Sequence, residues 1–196
     1  MRVAALLTLL GAPLAAQEIA VSPLPPGSVS RDEGLAAMAR IHEVLTSPRC
    51  ANCHVDDGNL PMWSGPSYGP EPRPHGMNVT AGDSRMGAET LPCATCHMAD
   101  NSPLPHGPPG APGWRLAPVA MLWFDQSIAE VCAQIGDPDR NGDRSVLQVA
   151  EHVAEDDLVH WGWAPGPGRD PAPYSAEELV GFLLRWDAAG GPCPAG

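Results

Sequence analysis

The chain has 196 residues with 23 acidic and 11 basic side chains, a formal net charge of −12, and arginine as its sole basic residue type besides histidine. This acidity excludes a nucleic-acid binder, whose affinity rests on Lys and Arg neutralising phosphates. The lack of lysine excludes docking through a lysine ring, so partners are expected to present basic or weakly charged surfaces. Glycine and proline supply 21 and 24 residues, Phe and Tyr only two each, so side chains alone make a poor core.

Residues 1–16 read as a signal peptide: Arg2, a short apolar run from Val3 to Leu10, then small residues up to Ala16. The apolar run is too short to span a bilayer, and no later stretch is long enough. An exported, soluble, periplasmic chain with no membrane span is therefore expected. Residues 17–29 form a Pro-rich arm. Ser30 and Glu33 make a capping box that opens a helix to about Thr46, with Leu35, Met38, His42 and Leu45 on one face.

That helix leads into Cys50-Ala51-Asn52-Cys53-His54, and a second pentapeptide of the same pattern follows at Cys93-Ala94-Thr95-Cys96-His97. In a Cys-x-x-Cys-His motif the two thiols add across the vinyl groups of a haem and the histidine becomes an axial iron ligand. One copy alone could be a redox dithiol or half a zinc site. Two copies behind an export signal predict two covalently bound haem c groups, held by Cys50, Cys53, Cys93 and Cys96, with His54 and His97 as iron ligands. Buried porphyrins would supply the apolar surface that the composition lacks, so the apo-chain is expected to be largely unfolded.

Residues 56–92 and 103–113 are dense in Gly, Pro and Ser and read as loops wrapped over haem faces; 30–116 is thus a dihaem-binding segment. Residues 117–196 form a helical C-terminal segment, with helices over 127–135, 145–154 and 175–188, the last two opened by capping boxes at Ser145 with Gln148 and at Ser175 with Glu178. The stretch from Asp137 to Asp143 imitates the start of an EF-hand loop. Gln148 stands where the closing Glu belongs and Pro138 interrupts the loop, so a turn before a capped helix explains it better. The tryptophans read as core, stacked on haem edges and on each other.

Each iron has a sixth position. His75 and His106 sit beside Pro and Gly in loops that can lie over a haem face, and both are expected as distal ligands. His42, Met77 and Met98 are the alternatives, and a methionine would raise the reduction potential. His152 and His160 read as structural or interfacial. Cys132 and Cys193, the two cysteines outside the motifs, are expected to form a disulfide in an oxidising compartment.

The strings Ser47-Pro48-Arg49-Cys50, Pro74-His75 with Met77-Asn78-Val79, 108–114 (PPGAPGW), Asp137-Pro138 with Asn141-Gly142, and Trp161-Gly162-Trp163 with Gly168-Arg169 add to the two haem motifs. Together, over about residues 45–194, they resemble dihaem c-type cytochromes labelled as isoquinoline 1-oxidoreductase subunits, which accompany molybdenum hydroxylases of the xanthine-oxidase type. The resemblance implies an electron-acceptor subunit, and it places His75 and His106 in matching positions. The expected fold class is a mainly α dihaem cytochrome c (multihaem-like) with extensive irregular loops. Its expected partners are redox proteins, namely a molybdenum hydroxylase or other dehydrogenase and a respiratory acceptor. The chain carries no molybdopterin or iron–sulfur signature and is expected to have no catalysis of its own. A small dihaem peroxidase, or a haem-based sensor with one open iron, is the alternative.

Overall fold

The computed structural model describes residues 18–65 and 69–195; the expected signal peptide lies outside them. Helix α1 (Arg31–Leu45) starts at the Ser30 cap, where the Ser30 Oγ accepts from the Glu33 backbone N–H and Glu33 reaches back to the cap. The same box opens α3 (Ile128–Ile135) at Ser127 with Glu130, α5 (Val146–Glu155) at Ser145 with Gln148, and α7 (Ala176–Ala188) at Ser175 with Glu178. Each reciprocal pair satisfies two N–H groups that a helix start otherwise leaves orphaned. Three single turns complete the set: α2 (Pro48–Ala51), α4 (Pro138–Asn141) and α6 (Asp157–His160).

Helices α1, α3, α5 and α7 pack into one layer. Met38, Ile41 and Val44 of α1 interlock with Val131 and Cys132 of α3, Ala150 of α5, and Leu179, Leu183 and Trp186 of α7. Ile19 and Val21 of the N-terminal arm lie against this core, and Gly27 N–H donates to the Ala188 carbonyl. A disulfide joins Cys132 to Cys193 and ties the C-terminal tail to α3, as the cysteine count predicts. Where α1 crosses that tail, a side chain at Gly34 would run into Ala189 and Pro192.

The mainly α expectation is not met. The fold is 38% helical and includes a two-stranded antiparallel sheet. Strand β1 (Met62–Gly65) pairs with β2 (Gly69–Pro74), with Met62 opposite Pro74, Trp63 opposite Arg73 and Gly65 opposite Gly69. Both lie in the 56–92 stretch read as loop. The sequence Gly-Pro-Glu-Pro-Arg-Pro argues against a strand because proline cannot donate to a ladder. In a two-stranded sheet both strands are edges, so alternate prolines lose no partner, and His75 N–H extends the pairing to the Pro61 carbonyl.

The middle of the chain has little apolar core: Val55, Ala81 and Leu116, with Cys53, Met62 and Phe124 at its margin. Its organiser is the buried Arg85. Nε donates to the Ala117 carbonyl, Nη1 to Asp56 O and Asn59 Oδ1, and Nη2 to Val55 O, all at 2.7–2.9 Å. One guanidinium thus ties together three stretches of otherwise irregular backbone.

Candidate functional site

Both pentapeptides fold as one helical turn. In the first, Cys53 N–H donates to Cys50 O and His54 N–H to Ala51 O; in the second, both Cys96 and His97 N–H donate to Cys93 O. Pro48 opens the first turn and Pro92 the second, positions where a missing N–H costs nothing. A helical turn places residues i, i+3 and i+4 on one side, so each motif presents two thiols and an imidazole together.

The four motif thiols are unbridged, whereas the other two cysteines are joined. Burial pushes the Cys50 thiol up to about 11 and the Cys53 thiol up to about 12, and raises that of Cys93 as well. A dithiol poised for redox exchange has the opposite shift. Among the described residues no three His, Cys, Asp or Glu side chains converge on a point that could hold a bare metal ion.

The two motif histidines are built alike. His54 Nδ1–H donates to the Met121 carbonyl at 2.8 Å, and His97 Nδ1–H donates to the Pro109 carbonyl at 2.8 Å. Since a carbonyl can only accept, each Nδ1 carries the proton and each Nε2 keeps its lone pair. Each ring also stacks on a tryptophan: His54 on Trp123 with centroids 3.3 Å apart and planes at 6°, His97 on Trp114 at 4.6 Å and 3°. Burial holds the His54 imidazole neutral, down to about 3, and lowers His97 too. Fixing Nδ1 on a carbonyl is how proteins orient an imidazole that ligates a metal through Nε2.

A cavity of about 440 Å³ opens between the motifs, lined by Cys53 from the first and by Cys93, Cys96 and His97 from the second. His75 and His106 line it as well. The His75 ring stands opposite His97, centroids 6.0 Å apart and planes at 63°, and its Nδ1–H donates to the Gly76 carbonyl at 2.9 Å. Met77, 79% exposed, borders the same cavity, while Met98 does not line it. His42 belongs elsewhere: its Nε2–H donates to the Gln126 carbonyl at 3.1 Å in a separate cavity lined by Thr46, Phe124 and Asp125. His160 Nε2–H is likewise given to the Val153 carbonyl. His152 faces Asp156 at 3.6 Å.

Sequence reasoning missed Trp114 and Trp123 as partners of particular histidines, the Met121 and Pro109 carbonyls, and Arg85. None carries a local signal, since each partner lies 12 or more residues from the group it serves. No protein-family model matches the chain, and no curated protein or solved structure matches it.

Proposed function

We propose that the chain is a periplasmic dihaem c-type cytochrome that passes electrons between redox proteins, with a molybdenum hydroxylase or similar dehydrogenase as donor and a respiratory component as acceptor. The single observation that carries the proposal is the duplicated construction of the motif histidines: one helical turn, two unbridged thiols, Nδ1 tied to a backbone carbonyl and Nε2 left available. A bound haem supplies a one-electron couple, and the chain supplies anchoring, ligation and insulation. Cys50 with Cys53, and Cys93 with Cys96, provide the thiols for two thioethers each. His54 and His97 provide the proximal nitrogens.

His75 is the distal ligand of the second site. Its ring centre lies 6.0 Å from that of His97 and both line one cavity, so the two imidazoles would hold one group between them. His106, on the same cavity wall as Cys53, is the other proposed distal ligand. The sparse core of the middle segment also supports the reading, since a porphyrin would fill the space that Val55, Ala81 and Leu116 leave. No helix among the described residues is long and apolar enough to cross a membrane.

The test is export of the chain in a host with cytochrome c maturation, followed by intact mass and pyridine haemochrome assay. Two haems per chain are expected, falling to one when Cys50 and Cys53 are both replaced by Ala. A mature chain without covalently attached haem overturns the proposal. Electron paramagnetic resonance of the oxidised protein is then expected to show two low-spin centres; a dominant high-spin signal would favour a peroxidase or sensor instead.

A further inference from the structure

The cavity wall carries a second kind of chemistry. Arg49 and Arg169 both line it, and Arg169 is only 8% exposed. The two stand beside the same strand: Arg49 Nη2 donates to Ser64 O at 3.2 Å and Ser64 Oγ at 2.8 Å, and a Cβ on Gly65 would sit 3.7 Å from Arg169 Nε. Arg169 Nη2 donates to the Gly107 carbonyl at 2.7 Å, and the Arg49 guanidinium lies 5.7 Å from the centre of the Trp161 ring. Neither has a carboxylate at ion-pair distance; among the described residues the ion pairs are Arg40–Glu43 and His152–Asp156.

This is an odd arrangement for a chain with 23 acidic residues against 11 arginines. Two desolvated like charges repel, and the exposed Asp170, which favours the charge of Arg49 from a distance, forms no ion pair with either of them. A guanidinium fork matches a planar carboxylate. The cavity they share is lined by Cys93, Cys96 and His97 of the second motif, and by Cys53 but neither Cys50 nor His54 of the first.

We propose that Arg49 and Arg169 form a carboxylate clamp whose occupant is a propionate of the haem held by Cys93, Cys96 and His97. The clamp rests on the dihaem reading above. It keeps that propionate ionised, neutralises the paired guanidiniums and anchors β1 and the 161–169 segment to the cofactor.

The test is potentiometric titration of the two-haem protein and of Arg49→Gln and Arg169→Gln, from mildly acidic to neutral pH. In the wild type the midpoint of the haem held by Cys93, Cys96 and His97 is expected to be flat with pH. In each variant one midpoint falls, because lost positive charge favours the ferric form. That midpoint also gains a pH dependence as the released carboxylate takes up a proton; the other is unchanged. Should the variants accumulate poorly, Arg169→Lys is expected to hold the wild-type midpoint by keeping the charge, while Arg49→Lys with Arg169→Lys is expected to do the same, and a midpoint lowered in either would overturn the clamp.

Two haems per chain with variant midpoints and pH profiles identical to wild type overturn the clamp and leave the dihaem reading standing. A wild-type chain without haem overturns both. Succinate added to the wild-type holoprotein is expected to leave its melting temperature unaltered. Saturable stabilisation by succinate would show a clamp open to free carboxylates and overturn the propionate assignment.

Discussion

At the scale of single residues, the design rule is that a nitrogen already given to a carbonyl is not available to a metal. From sequence His75, in a Pro-Gly turn, is an expected distal ligand and His42, on a helix just before the first motif, an alternative. In the fold His42 Nε2–H is spent on Gln126, while His75 spends Nδ1 on Gly76 and its ring centre lies 6.0 Å from that of His97. His75→Ala is therefore expected to turn one of two haems high-spin and to create one cyanide-binding site per chain, read by paramagnetic resonance and optical titration. His42→Ala should leave both spectra unchanged and cost about 1 kcal/mol in a denaturant melt, the worth of one hydrogen bond. A spectral change in His42→Ala, or none in His75→Ala, would refute the assignment. Gly34 is decided by space: Gly34→Ala pushes a methyl into Ala189 and Pro192 and should cost about 1–3 kcal/mol of overpacking.

At the scale of elements, four capping boxes start the four main helices, and three close with a Glu. The hydroxyls of Ser30 and Ser127 hold the Glu33 and Glu130 carboxyls below their ordinary value of 4.5. The sign follows: the unfolded chain binds more protons in this range, so the contribution is complete above about pH 4.5 and is lost as pH falls through the depressed folded values. Helix content followed by circular dichroism should fall on acidification below that point, and Glu33→Gln, which keeps the hydrogen bonds without the charge, should flatten the loss. Ser30→Ala should cost about 1 kcal/mol at neutral pH. The boxes at Ser30, Ser145 and Ser175 were legible because each is a four-residue signal, and the structure adds the one at Ser127. Strand β2 was not, because its pairing depends on which side of each proline faces solvent, which no local pattern encodes.

At the scale of the whole molecule, the chain has two halves of different constitution. The layer of α1, α3, α5 and α7 has its own apolar core and the Cys132–Cys193 disulfide, whereas the middle segment relies on Arg85 and on what fills the cavity. Composition suggested a largely unfolded apo-chain; the helical layer argues for a loss confined to the middle segment. A chain produced without haem attachment should protect amides of the four helices from hydrogen exchange and lose protection across residues 56–116. Uniform protection or uniform exchange would contradict this division. Replacing Cys132 and Cys193 by Ser should lower stability by about 2–4 kcal/mol, since the cross-link closes a loop of 61 residues.

By itself the sequence determined the features written in contiguous residues or in counts: two Cys-x-x-Cys-His motifs, the helices capped at Ser30, Ser145 and Ser175, and the pairing of the two cysteines outside the motifs. Only the tertiary structure decided which tryptophan stacks on which histidine, that His75 faces His97 while His42 turns to Gln126, and that two arginines share a cavity wall. The physical reason is the range of the interactions. A capping box or a helical turn closes within four residues, so its chemistry is complete in the local string. A ring stack, a carbonyl–imidazole bond across 67 residues, or two like charges brought side by side exists only once the whole chain has packed.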